Sequence, residues 1–204
     1  KVDGSGNDFV AGVGLWAERL ADDPDLTRRL CDRRRGIGAD GTLSLAREDG
    51  ATVRLVYRNA DGSVGDFCAN GTRCAARVAV EELGCASRLH MVTGWATIAA
   101  EVDGSAVTLA LPAPENPPRM TPISGPDGAS PLALYAVGVP HLVGAFEGLD
   151  KLDLAEVGPP LRRHPNLGAE GANVNLYEVK DTGVVSVRTW ERGVEGETLS
   201  CGSG

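Results

Sequence analysis

The feature that most constrains the fold is a pattern that occurs twice, in which a strand and a glycine-containing turn lead to a cysteine. The first copy spans the 9 positions from Asn59 to Cys68, and the second spans the 10 positions from Glu191 to Cys201. In both copies a small residue, a polar residue and a glycine follow the cysteine. Because the two thiols occupy nearly equivalent places, the pattern indicates an internal duplication.

The residues around Cys68 predict a strand, a turn and then a helix. Val53, Leu55 and Tyr57 alternate with polar residues, whereas apolar residues recur at helical spacing beyond Cys68. The helix should end at Gly84, a natural C-terminal cap. A thiolate at a helix start is stabilised by unpaired backbone N–H groups and by the helix dipole. A lone cysteine is more often a buried apolar residue, but the repetition favours chemistry.

Two equivalent thiols on opposite sides of one ligand have a specific chemical use. One removes a proton from a carbon atom, and the other returns a proton to the opposite face. Because an amino-acid α-proton is a very weak acid, preorganised donors must stabilise the anion that forms. The duplicated thiols therefore predict a racemase or epimerase of amino acids.

The chain resembles the diaminopimelate epimerases, a family of cofactor-independent enzymes that interconvert the LL and meso forms of diaminopimelate in lysine and peptidoglycan precursor biosynthesis. The shared blocks follow one another along the whole chain, at residues 4–10, 32–41, 59–63, 68–74, 138–141, 171–175 and 191–204. Ala69 stands where the family usually has glycine, and Val139 stands where some relatives have an asparagine that contacts substrate. The resemblance implies a homodimer acting on a small amino-acid substrate, with no metal and no other cofactor.

The resemblance also implies the site residues. The catalytic set is Cys68, Cys201, His141 and Glu191. The substrate-binding set is Asn7, Asn59, Ala69, Asn70, Asn173, Glu191, Arg192, Gly202 and Ser203. In that set the planar fork of arginine suits a carboxylate. The basic run from Arg33 to Arg35 is interpreted instead as a solvated helix end without function.

The predicted fold is α+β, with two pseudo-symmetric domains that each wrap a strongly curved, mostly antiparallel sheet around a central helix. Residues 1–114 form the domain of Cys68, residues 115–131 a proline-rich, irregular connection, and residues 132–204 the domain of Cys201. Hairpins are expected at residues 42–58, 96–111 and 172–190, and a helix from Asp22 that is capped by Asp and Pro. A short helix is expected at residues 153–163, interrupted by the sequence Gly-Pro-Pro.

The second domain is expected to lack its central helix, because only three residues follow Cys201. Without that helix the backbone donors of Gly202 and Ser203 should not be fixed, and the second sheet should expose its inner face. We therefore expect the natural polypeptide to continue beyond Gly204 with an apolar helix and further strands.

Charge and cysteine content limit the partners and the compartment. A net charge of −8 and a pI near 4.9 disfavour non-specific binding to nucleic acid or to an acidic membrane. No stretch approaches the roughly 20 apolar residues that span a bilayer. Five cysteines, no initiator Met and no signal-like segment predict a reduced, cytoplasmic protein.

Two alternatives remain open from the sequence. One is a two-thiol racemase of another free amino acid, such as proline. The other is a non-catalytic protein that uses Cys68 and Cys201 as a redox switch. Pyridoxal phosphate is disfavoured because Lys1, Lys151 and Lys180 lie in no recognisable cofactor-binding setting, and the three histidines give no zinc-ligand spacing.

Overall fold

The computed structural model describes residues 1–114, 116–128, 130–181 and 183–204, which form two compact units, Lys1–Pro112 and Ala113–Gly204. The helices are α1 (Leu15–Asp22), α2 (Pro24–Cys31), α3 (Ala69–Leu83) and α4 (Leu154–Arg162). The strands of the first unit are β1 (Val2–Gly4), β2 (Asn7–Val13), β3 (Gly41–Arg47), β4 (Thr52–Asn59), β5 (Val64–Gly65), β6 (Arg88–Val92), β7 (Thr97–Asp103) and β8 (Ala106–Ala110). Those of the second unit are β9 (Arg119–Ser124), β10 (Pro131–Val137), β11 (Val139–Ala145), β12 (Asn173–Asp181), β13 (Val184–Glu191) and β14 (Gly196–Thr198).

In the first unit, one curved sheet surrounds helix α3. The strand order is β1-β2-β3-β4-β6-β7-β8, with β5 paired to β4, and α3 packs against all seven strands of that order. A flat sheet could not bring seven strands to one helix, so the sheet curls around α3. The helix begins after Cys68 and ends at Gly84, whose φ of 63° suits glycine. The curved sheet with a central helix is therefore confirmed here.

The opposite face of this sheet is covered by α1 and α2. Helix α2 is confirmed, because Asp23 accepts a hydrogen bond from the backbone N–H of Leu26 at 2.8 Å and Pro24 is the first helical residue. Helix α1 was not predicted from the sequence. It follows Gly14, which provides no side-chain cap, and its first residues are exposed, so neither a capping residue nor an apolar stripe announces its start.

The second unit has a six-stranded sheet in the order β14-β13-β12-β11-β10-β9, with α4 on one face. The core on that side consists of Ile123, Leu132, Leu142, Leu149, Leu154, Leu161, Ala172, Val174, Leu176 and Trp190. Strands β12 and β13 form the predicted hairpin, although Thr182 of its turn lies outside the described residues. The hairpins β3–β4 and β7–β8 are likewise confirmed.

Two predictions about proline are wrong. The stretch from residue 112 to 131 is not irregular throughout, because it contains β9. This strand lies at the edge of the sheet, where a proline costs no ladder hydrogen bond, and Thr121 and Ile123 on either side of Pro122 point inward. Helix α4 also continues through its Gly-Pro-Pro sequence. The prolines leave two carbonyl groups without helical donors, but Ala155 and Glu156, which carry them, are exposed to water.

The face of the second sheet opposite α4 is partly apolar and exposed. Cross-strand pairing places Val179 beside Val185 and Tyr177 beside Val187 on this face. Val179, Val185 and Val187 are 64%, 53% and 53% exposed. The expected exposure of this inner face is therefore observed, whereas α3 covers the corresponding face of the first sheet.

Candidate active site

In the first unit, the thiol of Cys68 caps the N-terminus of α3. Its Sγ accepts a hydrogen bond from the backbone N–H of Gly71 at 3.4 Å, and its backbone is extended, as expected at a helix cap. Ala69 and Asn70, the first two helical residues, are buried behind the thiol. The predicted position of Cys68 at a helix start is thus confirmed, while the substrate contacts of Ala69 and Asn70 stay a prediction.

Asn7 lies next to this thiol and its amide has a defined orientation. Its Nδ2 donates to a carboxylate oxygen of Asp40 at 2.7 Å, so the Oδ1 atom is directed to the other side. There it accepts from Asn70 Nδ2 at 3.4 Å and from the Cys68 thiol at 3.7 Å. Three of the predicted site residues, Asn7, Cys68 and Asn70, are therefore in contact.

The interpretation of the basic run as a solvated helix end without function is wrong for Arg33. Its guanidinium binds Asp8 at 2.8 Å and Asp40 at 2.7 Å, and Lys1 adds a further contact to Asp8 at 2.8 Å. The hydrogen bond from Arg33, assisted by Lys1, holds the pKa of the Asp8 carboxyl far below its usual range. Arg33 thereby fixes the carboxylate of Asp40 that orients Asn7. A charge run alone gives no sign of this role.

Asn59 ends strand β4, beside Gly41 of β3. Its side chain is held by two neighbours, since the Tyr57 hydroxyl donates to Oδ1 at 2.6 Å and Nδ2 donates to Ser63 Oγ at 2.9 Å. The structure thus places Asn59 in the turn before Cys68 but binds its amide to Tyr57 and Ser63 rather than to the thiol. Its role towards a substrate stays a prediction.

In the second unit, two backbone amides act on Cys201, although no helix follows it in the described residues. The backbone N–H groups of Ser203 and Gly204 and the hydroxyl of Ser203 each act to lower the pKa of its thiol. The expectation that the donors of Gly202 and Ser203 are not fixed stays a prediction, although the Ser203 amide acts on the thiol. Gly204 supplies the second amide. Burial and the nearby Glu191 carboxylate outweigh these donors and raise the pKa of the Cys201 thiol to about 11.

His141 lies on β11 and reaches the Cys201 loop through Ser203. Its Nε2 is 3.1 Å from Ser203 Oγ, and its Nδ1 is 3.0 Å from Asn175 Nδ2. The imidazole is only 1% exposed, and burial together with the charge of Arg192 lowers its pKa to about 4. Sequence reasoning selected His141 but missed Asn175, which carries no signal apart from its place in the shared block 171–175.

The remaining predicted residues of this unit form a second group. The backbone N–H of Arg192 donates to Asn173 Oδ1 at 2.7 Å, which joins the start of β12 to the end of β13. The guanidinium of Arg192 contacts Glu170 at 3.1 Å, and Glu170 is 84% exposed. Glu191 accepts a hydrogen bond from the Thr198 hydroxyl at 2.7 Å. Gly202, predicted to bind substrate through its backbone, links Cys201 to Ser203.

Two kinds of feature are absent from the described residues. They contain no group of three or more His, Cys, Asp or Glu side chains placed to hold a metal ion. In the same part of the chain, no helix has the length and apolar character needed to cross a membrane.

Comparison with known proteins decides the family. The family model for diaminopimelate epimerase matches residues 1–112. The chain belongs to the diaminopimelate epimerase family. It is 39% identical to a diaminopimelate epimerase from Gemmatimonas aurantiaca and 34% identical to one from Aquifex aeolicus. Both matches cover 100% of this chain, and they cover 75% and 77% of the relatives.

Solved structures with low sequence identity to this chain share its fold. A hydroxyproline epimerase from Agrobacterium vitis matches with a TM-score of 0.65 at 15% identity, over 92% of this chain and 67% of the other. A phenazine biosynthesis protein of the PhzF family from Bacillus anthracis matches with a TM-score of 0.63 at 16% identity, over 100% and 73%. The likeness confirms the predicted α+β class with curved sheets.

Proposed function

We propose that this chain interconverts LL- and meso-2,6-diaminopimelate, with Cys68 and Cys201 as the acid/base pair. The observation that supports this most directly is the repeated arrangement of amides around the two thiols. Cys68 accepts the N–H of the residue three positions later, Gly71, and Cys201 likewise interacts with the N–H of Gly204. This similarity supports the use of both thiols in one reaction.

In the proposed reaction, the thiolate of one cysteine removes the α-proton of the substrate and becomes a thiol. The other cysteine begins as a thiol and gives its proton to the opposite face of the same carbon, which leaves a thiolate. Backbone amides at the start of α3 and in the Cys201 loop are suited to stabilise the anion. The raised pKa of Cys201 keeps it protonated at neutral pH, so in the free chain it is suited to the acid role.

Arg192 is suited to bind a carboxylate of the substrate. Its guanidinium is mostly buried and contacts Glu170, an exposed carboxylate on a flexible side chain. A substrate carboxylate can take the place of Glu170 without leaving a buried charge unpaired, and a bidentate arginine contact would fix its orientation.

The test is the exchange of α-protons of LL-diaminopimelate in heavy water, followed by mass spectrometry and separation of the isomers. Cys68→Ala and Cys201→Ala should abolish formation of the meso form. Cys85→Ala, a matched change at a buried cysteine outside the site, should retain it. A well-folded Cys201→Ala variant with unchanged turnover would refute the assignment.

The same assay addresses the alternatives from the sequence. Racemisation of proline with no reaction of diaminopimelate would favour a two-thiol racemase of another amino acid. The non-catalytic redox switch is not favoured, because the relatives are named as epimerases.

We also propose a cytoplasmic homodimer. The five cysteines are all free, as expected in a reducing compartment, and the family resemblance supports the dimer. Sedimentation velocity with the protein in reducing buffer tests the assembly, and a monomer at all concentrations would contradict it. Fractionation of the source cells, with the chain found outside the cytoplasm, would contradict the location.

A further inference from the structure

We propose that Thr189 and Asn175 are positioning residues that hold His141 as a neutral imidazole with its proton on Nε2, so that a one-way series of hydrogen bonds ends on the Ser203 hydroxyl, two residues after Cys201. The series runs from Thr189 through Asn175 and His141 to Ser203, whose hydroxyl lowers the pKa of the Cys201 thiol. The role of these hydrogen bonds in catalysis rests on the proposed function, whereas the protonation of His141 is a property of the folded protein alone.

The first step is the orientation of the Asn175 amide. The Thr189 hydroxyl donates to Asn175 Oδ1 at 2.9 Å, and both side chains are buried, at 4% and 2% exposure. Their positions follow from the sheet, because Asn175 of β12 and Thr189 of β13 are direct cross-strand partners. With Oδ1 towards Thr189, the Nδ2 group faces His141 Nδ1 and donates to it at 3.0 Å.

The second step is the proton of the imidazole. A nitrogen that accepts from an amide N–H carries no proton, so the single proton of neutral His141 is on Nε2. A doubly protonated ring would direct a second N–H at the Asn175 amide donors. That arrangement would leave two donors facing each other in a buried site, which is costly. The geometry therefore requires both the neutral form and one tautomer.

The Ser203 end of this series of hydrogen bonds supports the same tautomer. The hydroxyl of Ser203 interacts with Cys201, where it favours the thiolate and so acts as a donor. Ser203 has only one hydroxyl proton, and hence its oxygen must accept from His141 Nε2 at 3.1 Å. Both ends of the hydrogen-bond series therefore indicate the same tautomer of His141, since each group donates in the same direction.

Burial is consistent with the neutral ring. His141 is 1% exposed, and the charged group that acts on it is Arg192, which adds to the effect of burial. The carboxylate of Glu191 acts on Cys201 and disfavours its thiolate. Three groups oppose the effect of that carboxylate and favour the thiolate. They are the backbone N–H groups of Ser203 and Gly204 and the hydroxyl of Ser203.

The experiment is nitrogen NMR of the full chain labelled at the histidine ring nitrogens, at neutral pH. Only three histidines are present, so His141→Gln assigns the signals of His141. In the wild-type chain we expect an unprotonated Nδ1 and a protonated Nε2. A protonated Nδ1 in that chain overturns the proposal, whatever the behaviour of any variant.

Asn175→Asp should reverse the tautomer, because a carboxylate in place of Nδ2 only accepts and therefore draws the proton to Nδ1. Asn166→Asp introduces the same charge at an exposed position of this unit and should leave the His141 signals unchanged. Thr189→Val, which frees the amide to rotate, should give a mixture of both tautomers. Retention of a pure Nε2–H form in both Asn175→Asp and Thr189→Val would overturn the positioning role.

Kinetics separate this inference from the proposed function. If the chain is an epimerase, Asn175→Asp should lower kcat by roughly tenfold with little change in KM, the effect expected from losing one hydrogen bond in the reacting state. It should also shift the limb of the pH profile that belongs to Cys201 to higher pH. The expected NMR result in a chain without epimerase activity would refute the proposed function and leave the tautomer assignment intact.

Discussion

Lowering the pH should destabilise the folded chain through one buried imidazole, that of His141. Burial and Arg192 lower its pKa from the usual 6.5 to about 4. Below about pH 6.5 the unfolded chain binds a proton at this residue and the folded chain does not, so acid favours the unfolded state. The contribution of His141 is complete above pH 6.5, is lost progressively on acidification, and changes no further below about pH 4.

The size of this effect follows from the two pKa values. One pKa unit corresponds to about 1.4 kcal/mol, so the change from 6.5 to about 4 amounts to about 3.5 kcal/mol, of which about 3 kcal/mol is lost by pH 4. Because domains are stable by only about 5–15 kcal/mol, a loss of this size is easily measured. It is also larger than the effect of most surface substitutions, which is within about 0.5 kcal/mol.

The assay is urea unfolding of the wild-type chain and of His141→Gln between about pH 7 and about pH 4. Carboxyl groups titrate in both chains, so the difference between their free energies of unfolding isolates the imidazole. The difference should shrink by about 3 kcal/mol on acidification. His90→Gln, the same substitution at an exposed position, is the control. Parallel curves for the wild-type chain and His141→Gln would show that His141 is not buried in its uncharged form.

Two further predictions concern packing and thiol chemistry. Gly158→Ala should destabilise the chain by about 1–3 kcal/mol in urea unfolding, because its Cβ would lie 2.7 Å from the Trp190 ring. Gly196→Ala is the control and should be tolerated, since the nearest atom to its Cβ would be 3.9 Å away. Equal stabilities of the two variants would contradict the close packing of α4 on β13. Cys201 should be alkylated by iodoacetamide at about pH 8 as slowly as buried Cys31, since burial raises both pKa values to about 11. Peptide mass spectrometry measures both rates, and rapid labelling of Cys201 would be the contrary result.

Elements whose ends are marked by local chemistry could be predicted from the sequence. Helix α3 has a polar cap at Cys68 and a left-handed glycine at Gly84, and α2 has Asp23 and Pro24 at its start. These signals act within one turn of helix, so they do not depend on the rest of the fold. The position of Cys68 could be predicted for the same reason.

The hydrogen-bonded groups behind the thiols could not be predicted in this way. Arg33 and Asp40 act on Asn7 only because β2 and β3 pair in parallel, and Asn175 meets Thr189 only through the register of β12 and β13. In a strand, a shift of one residue would turn these side chains to the other face. Register is set by the whole sheet, and no short window of sequence contains it.

The two thiols differ in their neighbours, and in the proposed reaction this difference bears on which thiol begins as the acid. Cys68 begins a helix of 15 residues, whose dipole favours an anion, and its side-chain neighbour Asn7 is neutral. Cys201 lies near the Glu191 carboxylate, which opposes an anion. The helix start at Cys68 and the carboxylate beside Cys201 therefore act in opposite directions on the two thiols, and this is why Cys201 is the thiol that we propose to begin as the acid.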